Sequence, residues 1–168
     1  MPELPRGIAA RLALRRLLAG MLLVTGLSPP VFADSERDAQ VMAVLDRYMD
    51  ALNALDLEQH VSTYHFPHFR LAGGEISLWT TAKEAMPLLR LPRSEHKAQL
   101  RLILGEGWQR SLWTKREIVQ ADASKVHVAT RFVRLRADGS EIAGFDSLYV
   151  MTLQDGRWGI KGRSSFAP

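Results

Sequence analysis

The stretch KVHVATRFVRLRADGSEIAGFDSLYVMTLQDGRWGIKGRSSF, Lys125 to Phe166, decides the fold. Two Asp-Gly pairs, Asp138-Gly139 and Asp155-Gly156, interrupt runs rich in Val, Phe, Tyr, Ile and Trp. Asp-Gly suits a two-residue type I′ turn, so the stretch reads as three consecutive antiparallel strands. Counting outward from each turn sets the register, because residues opposite one another share a face. Phe132 then meets Phe145, and Leu153 meets Trp158, on a face that also carries Val126, Val128, Thr130, Ser147, Tyr149, Met151, Ile160 and Ser164. The other face carries His127, Ala129, Arg131, Val133 and Leu135 opposite Val150, Leu148, Asp146, Gly144 and Ile142, with Lys161 and Arg163 alongside. Arg131 sits directly across from Asp146. Both faces are apolar enough to need cover, which calls for helices on one side and a second subunit on the other.

Working back to the N-terminus, Arg6, Arg11, Arg15 and Arg16 precede an apolar run from Leu17 to Leu27, then Ser28-Pro29-Pro30 and Val31-Phe32-Ala33. That order is a secretory signal peptide over residues 1–33, with cleavage near Ala33-Asp34. The apolar run is well short of the roughly 20 residues of a spanning helix. The chain has 22 Lys+Arg against 18 Asp+Glu, and the segment takes four and one of them, leaving 18 against 17. A nearly balanced mature chain gives no basic footprint for nucleic acid. With no cysteine there is neither a disulfide nor a lipid-attachment thiol. The reading is a periplasmic or secreted protein with one domain over residues 34–168, free of membrane contact after cleavage.

Between these ends, Val41, Val44, Leu45, Tyr48, Met49 and Leu52 recur at helical spacing in a helix that opens near Ser35. Asp56 with Gln59 caps a short second helix through about Tyr64, and Pro67 bars its continuation. His68 to Trp79 alternates around Gly73-Gly74 as a hairpin, and Thr80 or Thr81 caps a third helix ended near Pro92. Arg93 to Lys97 reads as a charged connection, Leu100 to Leu104 as an apolar run, and Trp108 to Gln120 as a long strand. The sum is an α+β domain, a curved antiparallel sheet wrapped on three N-terminal helices.

That order, together with RYMDALNALDL (Arg47 to Leu57) and DGRWGI (Asp155 to Ile160), resembles the nuclear transport factor 2-like superfamily over nearly all of Glu36 to Phe166. Within it the similarity runs toward the SnoaL-like, polyketide-cyclase-like branch. The resemblance implies a cone-shaped, cystatin-like roll with an internal pocket and a homodimer formed through the outer sheet face. It leaves function open, since the superfamily holds isomerases, hydrolases, binding domains and protein-association modules.

Comparison with the ketosteroid isomerases implies Tyr48 and Asp146 as an oxyanion-stabilising pair, with the Asp protonated. Their general base falls where this chain has Phe69-Arg70-Leu71-Ala72, so proton abstraction has no base. Arg131 across from Asp146 would also keep that carboxylate ionised. Arg131 with Asp146 resembles part of the epoxide-hydrolase arrangement of two carboxylates and an arginine, one carboxylate short. If an enzyme, then, the chain is an isomerase, cyclase or hydrolase using Tyr48, Asp146 and Arg131.

From the residues themselves, His68 and Arg70 share a face of the hairpin strand, and with Arg163 they form an anion or carbonyl anchor if that face is inward. Trp79, Trp108 and Tyr149 are further candidates to line a pocket for an apolar ligand, whereas Trp158 belongs to the core. His60, His65 and His68 lack the spacing and thiolate partners of a zinc site, so neither metal nor cofactor is expected. A binding domain for a small apolar or carbonyl-bearing molecule is the leading reading, ahead of an enzyme and a protein-association module. One conflict stays open: burial turns the Phe132 face toward the helices, whereas the isomerase comparison turns Asp146 inward. A β-bulge would shift the register by one and reconcile them.

Overall fold

The computed structural model describes residues 34–167; the expected signal peptide lies outside them. Helix α1 (Asp34–Ala54) ends where Leu55 takes a left-handed φ of 55°. Helix α2 (Leu57–Ser62) starts at Asp56, whose carboxylate accepts from the Gln59 amide at 3.0 Å, the expected cap. Strand β1 (Tyr64–Ala72) and strand β2 (Glu75–Trp79) form the first hairpin, closed by Gly73 and Gly74 at positive φ. A one-turn helix α3 (Ala82–Ala85) is capped by the Thr81 hydroxyl and followed by a 3-10 turn at Pro87–Arg90. Then come helix α4 (Arg93–Leu104) and four long strands: β3 (Arg110–Ala121), β4 (Lys125–Leu135), β5 (Glu141–Gln154) and β6 (Arg157–Ser165).

The six strands form one curved sheet in the order β2-β1-β6-β5-β4-β3. Every pairing is antiparallel except β1 with β6, which run parallel. The α+β architecture is as expected, with two amendments on the helical side. The single third helix is broken, because Pro87 lacks the N–H that would continue α3. The charged connection at Arg93 to Lys97 is instead the opening of α4, which carries one narrow buried stripe, His96, Leu100 and Leu104, at spacing four. Three positions in twelve give little apolar signal, yet they bring the helix down onto Leu55, Leu57 and Trp108.

The two Asp-Gly turns behave differently. Asp155 and Gly156 both have positive φ, at 52° and 72°, and Gln154 pairs with Arg157, a two-residue turn. At the other, only Gly139 is left-handed, and Arg136 pairs with Ser140 across a three-residue loop. The extra residue is cancelled immediately: Leu135 pairs with Glu141, Arg134 with Ala143, and Ile142 bulges out. Beyond that compensation the register is the expected one, with Phe132 against Phe145 and Arg131 against Asp146.

The face carrying Val126, Val128, Tyr149, Met151, Trp158 and Ile160 packs on Val41, Val44, Leu45 and Tyr48 of α1. Burial therefore decides the open conflict in favour of the apolar face. A bulge is also present, but in β6 rather than beside Asp146. Met151 pairs with Ile160 and Val150 with Gly162, so Lys161 is the extra residue. After it the parity of β6 inverts: Arg163 pairs with Tyr149 and turns to the helix side, and Ser164 turns away.

On the outer side a Cβ added to Gly162 would come within 2.3 Å of the Phe69 ring, so only glycine fits just after the bulge. Gly162→Ala is expected to cost about 1–3 kcal/mol in urea unfolding through overpacking. In a double-mutant cycle with Phe69→Ala, most of that cost should vanish. Simple additivity of the two losses would contradict this account of the bulge.

Candidate functional site

The bulge places Arg163 at the inner end of a cavity of about 290 Å³ enclosed by the sheet, α1, α2, the segment after α3, and α4. Its Nη1 donates to the Tyr48 hydroxyl at 2.8 Å and to the Tyr149 hydroxyl at 3.2 Å. Nη2 and Nε have no partner among the described residues, and the half-buried guanidinium lines the cavity. Tyr48 is held by ring contacts to Trp113, Tyr64 and Tyr149, and the Trp113 indole is anchored on the Leu45 carbonyl at 3.2 Å.

Two further arginines line the same space. Arg70 lies beside Arg163 in the β1–β6 pairing and donates to the Ala167 carbonyl at 2.7 Å. Arg134 donates to the Leu104 carbonyl at 3.1 Å, and its guanidinium carbon stands 5.3 Å from the centre of the Phe145 ring. Among the described residues no Asp or Glu lines the cavity. Leu52, Met86, Leu100, Leu104 and Phe132 form the apolar part of the wall.

Electrostatics follow from burial. Desolvation works against the Arg163 cation, but the phenol oxygens of Tyr48, Tyr149 and Tyr64 offset it and hold the pKa above the ordinary arginine value. Burial lowers Arg134, and burial together with neighbouring Arg163 lowers Arg70. Burial also pushes the Tyr64 and Tyr149 phenols up, so both remain protonated donors.

Two histidines complete the wall, each with a carbonyl at Nδ1. His60 Nδ1 donates to the Tyr48 carbonyl at 3.0 Å, and His68 Nδ1 donates to the Ile160 carbonyl at 3.0 Å. Desolvation lowers each pKa from 6.5 to about 4, so both rings are neutral at physiological pH.

Of the residues singled out from sequence, Tyr48, His68, Arg70, Trp79 and Arg163 come together at this cavity. Tyr149 stands behind Arg163 as its second hydroxyl. Trp108 lies apart, packed with Leu55, Leu57, Leu100 and Leu104 while its indole donates to Ser111 at 3.0 Å. Asp146 and Arg131 are on the opposite face of the sheet, ion-paired with each other at 2.9 Å, with side chains 60% and 41% exposed. The grouping of Tyr48 with Asp146 and Arg131 is therefore not assembled. Arg134 escaped sequence reading, although it lies two residues beyond Phe132 and shares its face by strand parity. His60 and Tyr64 escaped as well; their four-residue spacing across a helix end carried no strand signal. His65 faces the outer side, where its ring covers Gly159. No cluster of three metal-ligating side chains occurs among the described residues, nor is any described helix long and apolar enough to cross a membrane.

A family described as "NTF2-like protein (DUF6841)" matches residues 36–164. The chain belongs to this NTF2-like family; the match does not itself place it in the SnoaL-like branch. No curated protein matches the chain. Among solved structures, an NTF2-like protein of unknown function from Shewanella oneidensis is 17% identical with a TM-score of 0.59, over 77% of this chain and 98% of that one. A candidate ketosteroid isomerase from Shewanella frigidimarina is 15% identical with a TM-score of 0.55, over 76% and 95%. A candidate calcium/calmodulin-dependent protein kinase II association domain from Xanthomonas campestris is 16% identical with a TM-score of 0.52, over 84% and 92%. Three such different descriptions on one fold leave function to the site.

The buried histidines predict a pH dependence. Between pH 6.5 and about 4 the unfolded chain binds protons that folded His60 and His68 refuse, so stability falls as pH drops through this window and is level above it. At about 1.4 kcal/mol per pH unit, His60 alone withdraws on the order of 3 kcal/mol. Urea unfolding at pH 7.5 and 4.5 should show the loss, with His60→Gln reducing it; a wild-type stability that is level across the window would contradict the burial of these rings.

Proposed function

We propose that the chain is a binding domain for a small, largely apolar molecule with one anionic end. The observation that carries this reading is the Arg163 guanidinium, with unpartnered donors facing a cavity that no Asp or Glu among the described residues lines. A half-buried cation with free donors favours a counter-charge, and a ligand carboxylate supplies one. Arg163 would donate from Nη2 and Nε. Tyr48, which accepts from Arg163, keeps its own O–H to donate to the same group. Arg134 adds positive charge at the same end. The ligand's hydrocarbon part would lie along Leu52, Met86, Leu100 and Leu104, and a cavity of this size suits a medium-chain or single-ring acid.

The enzyme reading has less support, since no Asp or Glu among the described residues lines the cavity and its histidines are weak bases with pKa values of about 4. The same proposal has the chain exported, with cleavage near Ala33-Asp34, and working as a homodimer in the periplasm or outside the cell. The arginine-then-apolar order of residues 6–27 supports export, and half-buried Leu148 and Val150 on the outer sheet face support pairing.

Isothermal titration tests the anionic end directly with octanoate against 1-octanol. Octanoate should bind and octanol should not. Arg163→Met should weaken octanoate at least tenfold, the scale of a charge-assisted hydrogen bond of about 1.5–3 kcal/mol. Because the variant also removes the donor to the Tyr48 and Tyr149 hydroxyls, urea unfolding checks that it is folded before affinities are compared. Equal affinity for the acid and the alcohol, or unchanged octanoate binding by Arg163→Met, would overturn the reading. Native mass spectrometry of gently purified protein reports subunit number and any retained acid together.

A further inference from the structure

His68 brings to the cavity an acceptor that is fixed in place and yet unused. It is 1% exposed, and its ring is sandwiched between Tyr64, at 4.0 Å and 8° between planes, and Trp79, at 5.8 Å and 11°. The stack sets the ring plane and the Ile160 carbonyl sets its rotation. A carbonyl can only accept, so the proton of the neutral ring is on Nδ1 and Nε2 holds a lone pair. Among the described residues nothing donates to that lone pair, and the ring forms part of the cavity wall. His60 provides the contrast. Its Nδ1 is committed in the same way, but its Nε2 receives the Tyr64 hydroxyl at 3.4 Å.

An acceptor in a cavity otherwise furnished with donors selects a ligand with a donor of its own. Its position is set by the strand: His68 and Arg70 are on one face of β1 two residues apart, roughly 7 Å along the chain, and Arg70 is level with Arg163. A ligand whose carboxylate meets Arg163 thus presents its near carbons, not its tail, to His68. We infer that His68 Nε2 is a specificity-determining acceptor and that the ligand class is a hydroxy acid, its hydroxyl near the carboxylate end. This rests on the anionic-end reading above and adds the second point of recognition. Arg163 meets the charge, His68 the neighbouring hydroxyl, and the apolar wall the remainder.

The experiment is isothermal titration of the wild type and His68→Phe at pH 7.5 with octanoate, 3-hydroxyoctanoate and 8-hydroxyoctanoate. Wild type should prefer 3-hydroxyoctanoate over octanoate by about five- to tenfold, the scale of one hydrogen bond to an otherwise unfilled acceptor. It should gain nothing from 8-hydroxyoctanoate. His68→Phe keeps a ring in the stack but offers no acceptor, so it should bind octanoate and 3-hydroxyoctanoate equally. If the variant fails to fold, the 15N resonance of His68 Nε2 in the wild type decides: it should move on adding 3-hydroxyoctanoate and stay in place on adding octanoate. Octanoate binding without any preference for the 3-hydroxy acid, a preference that survives in His68→Phe, or an Nε2 resonance indifferent to the hydroxyl would overturn this inference and leave the anionic-end reading standing. Failure of all three acids to bind would overturn both.

Discussion

The site depends on one inserted residue. Lys161 bulges out of β6, and from that point the strand's side chains exchange faces. Without the bulge, alternation would put Arg163 beside Lys161 on the outer sheet face, where an arginine is unremarkable. With it, a guanidinium is driven into an apolar interior and held there by two phenols, Tyr48 from α1 and Tyr149 from β5. Phe69 covers the glycine that follows the bulge, so packing on the outer face and charge on the inner face are two sides of one distortion.

Around that arginine the architecture divides its labour. Strands β4, β5 and β6 and helix α1 bury a dry core of aliphatic and aromatic side chains, which supplies the stability. The cavity lies beyond one end of that core. It is roofed by α4 and the segment after α3, elements held by fewer buried residues than α1. Desolvation at the site is borne on a stable frame: the Arg163 cation is offset by phenol oxygens, and two histidines are kept neutral by burial. Such an arrangement is a common mark of a binding surface, because the missing partner can arrive as ligand.

The fold was largely legible in the sequence because it rests on period-two alternation and turn chemistry. The pairing of Phe132 with Phe145 and of Leu153 with Trp158 followed from counting, and it survived a wrong loop length at Asp138-Gly139 because Ile142 bulges to compensate. Helix α4 was less legible: only His96, Leu100 and Leu104 are buried in a segment otherwise charged. The site was legible residue by residue but not as a set. His68, Arg70 and Arg163 were grouped as an anion anchor, but placing Arg163 on the inner face beside Tyr48 required knowing that Lys161 is skipped. Nothing in Gly159-Ile160-Lys161-Gly162 fixes which residue bulges; that is decided by the neighbouring strands and by the Phe69 ring. Arg134 lay within reach of the same alternation that identified Phe132, and its charge set it apart from the core list.

The central claim is that Arg163 waits for a carboxylate, and a crystal structure of the protein grown with octanoate tests it most directly. The account predicts carboxylate density within about 3 Å of the Arg163 guanidinium and the Tyr48 hydroxyl, with the alkyl chain running toward Leu100 and Leu104. An acid bound only at the surface, or a cavity closed by its own side chains with Arg163 paired to a protein carboxylate, would contradict it.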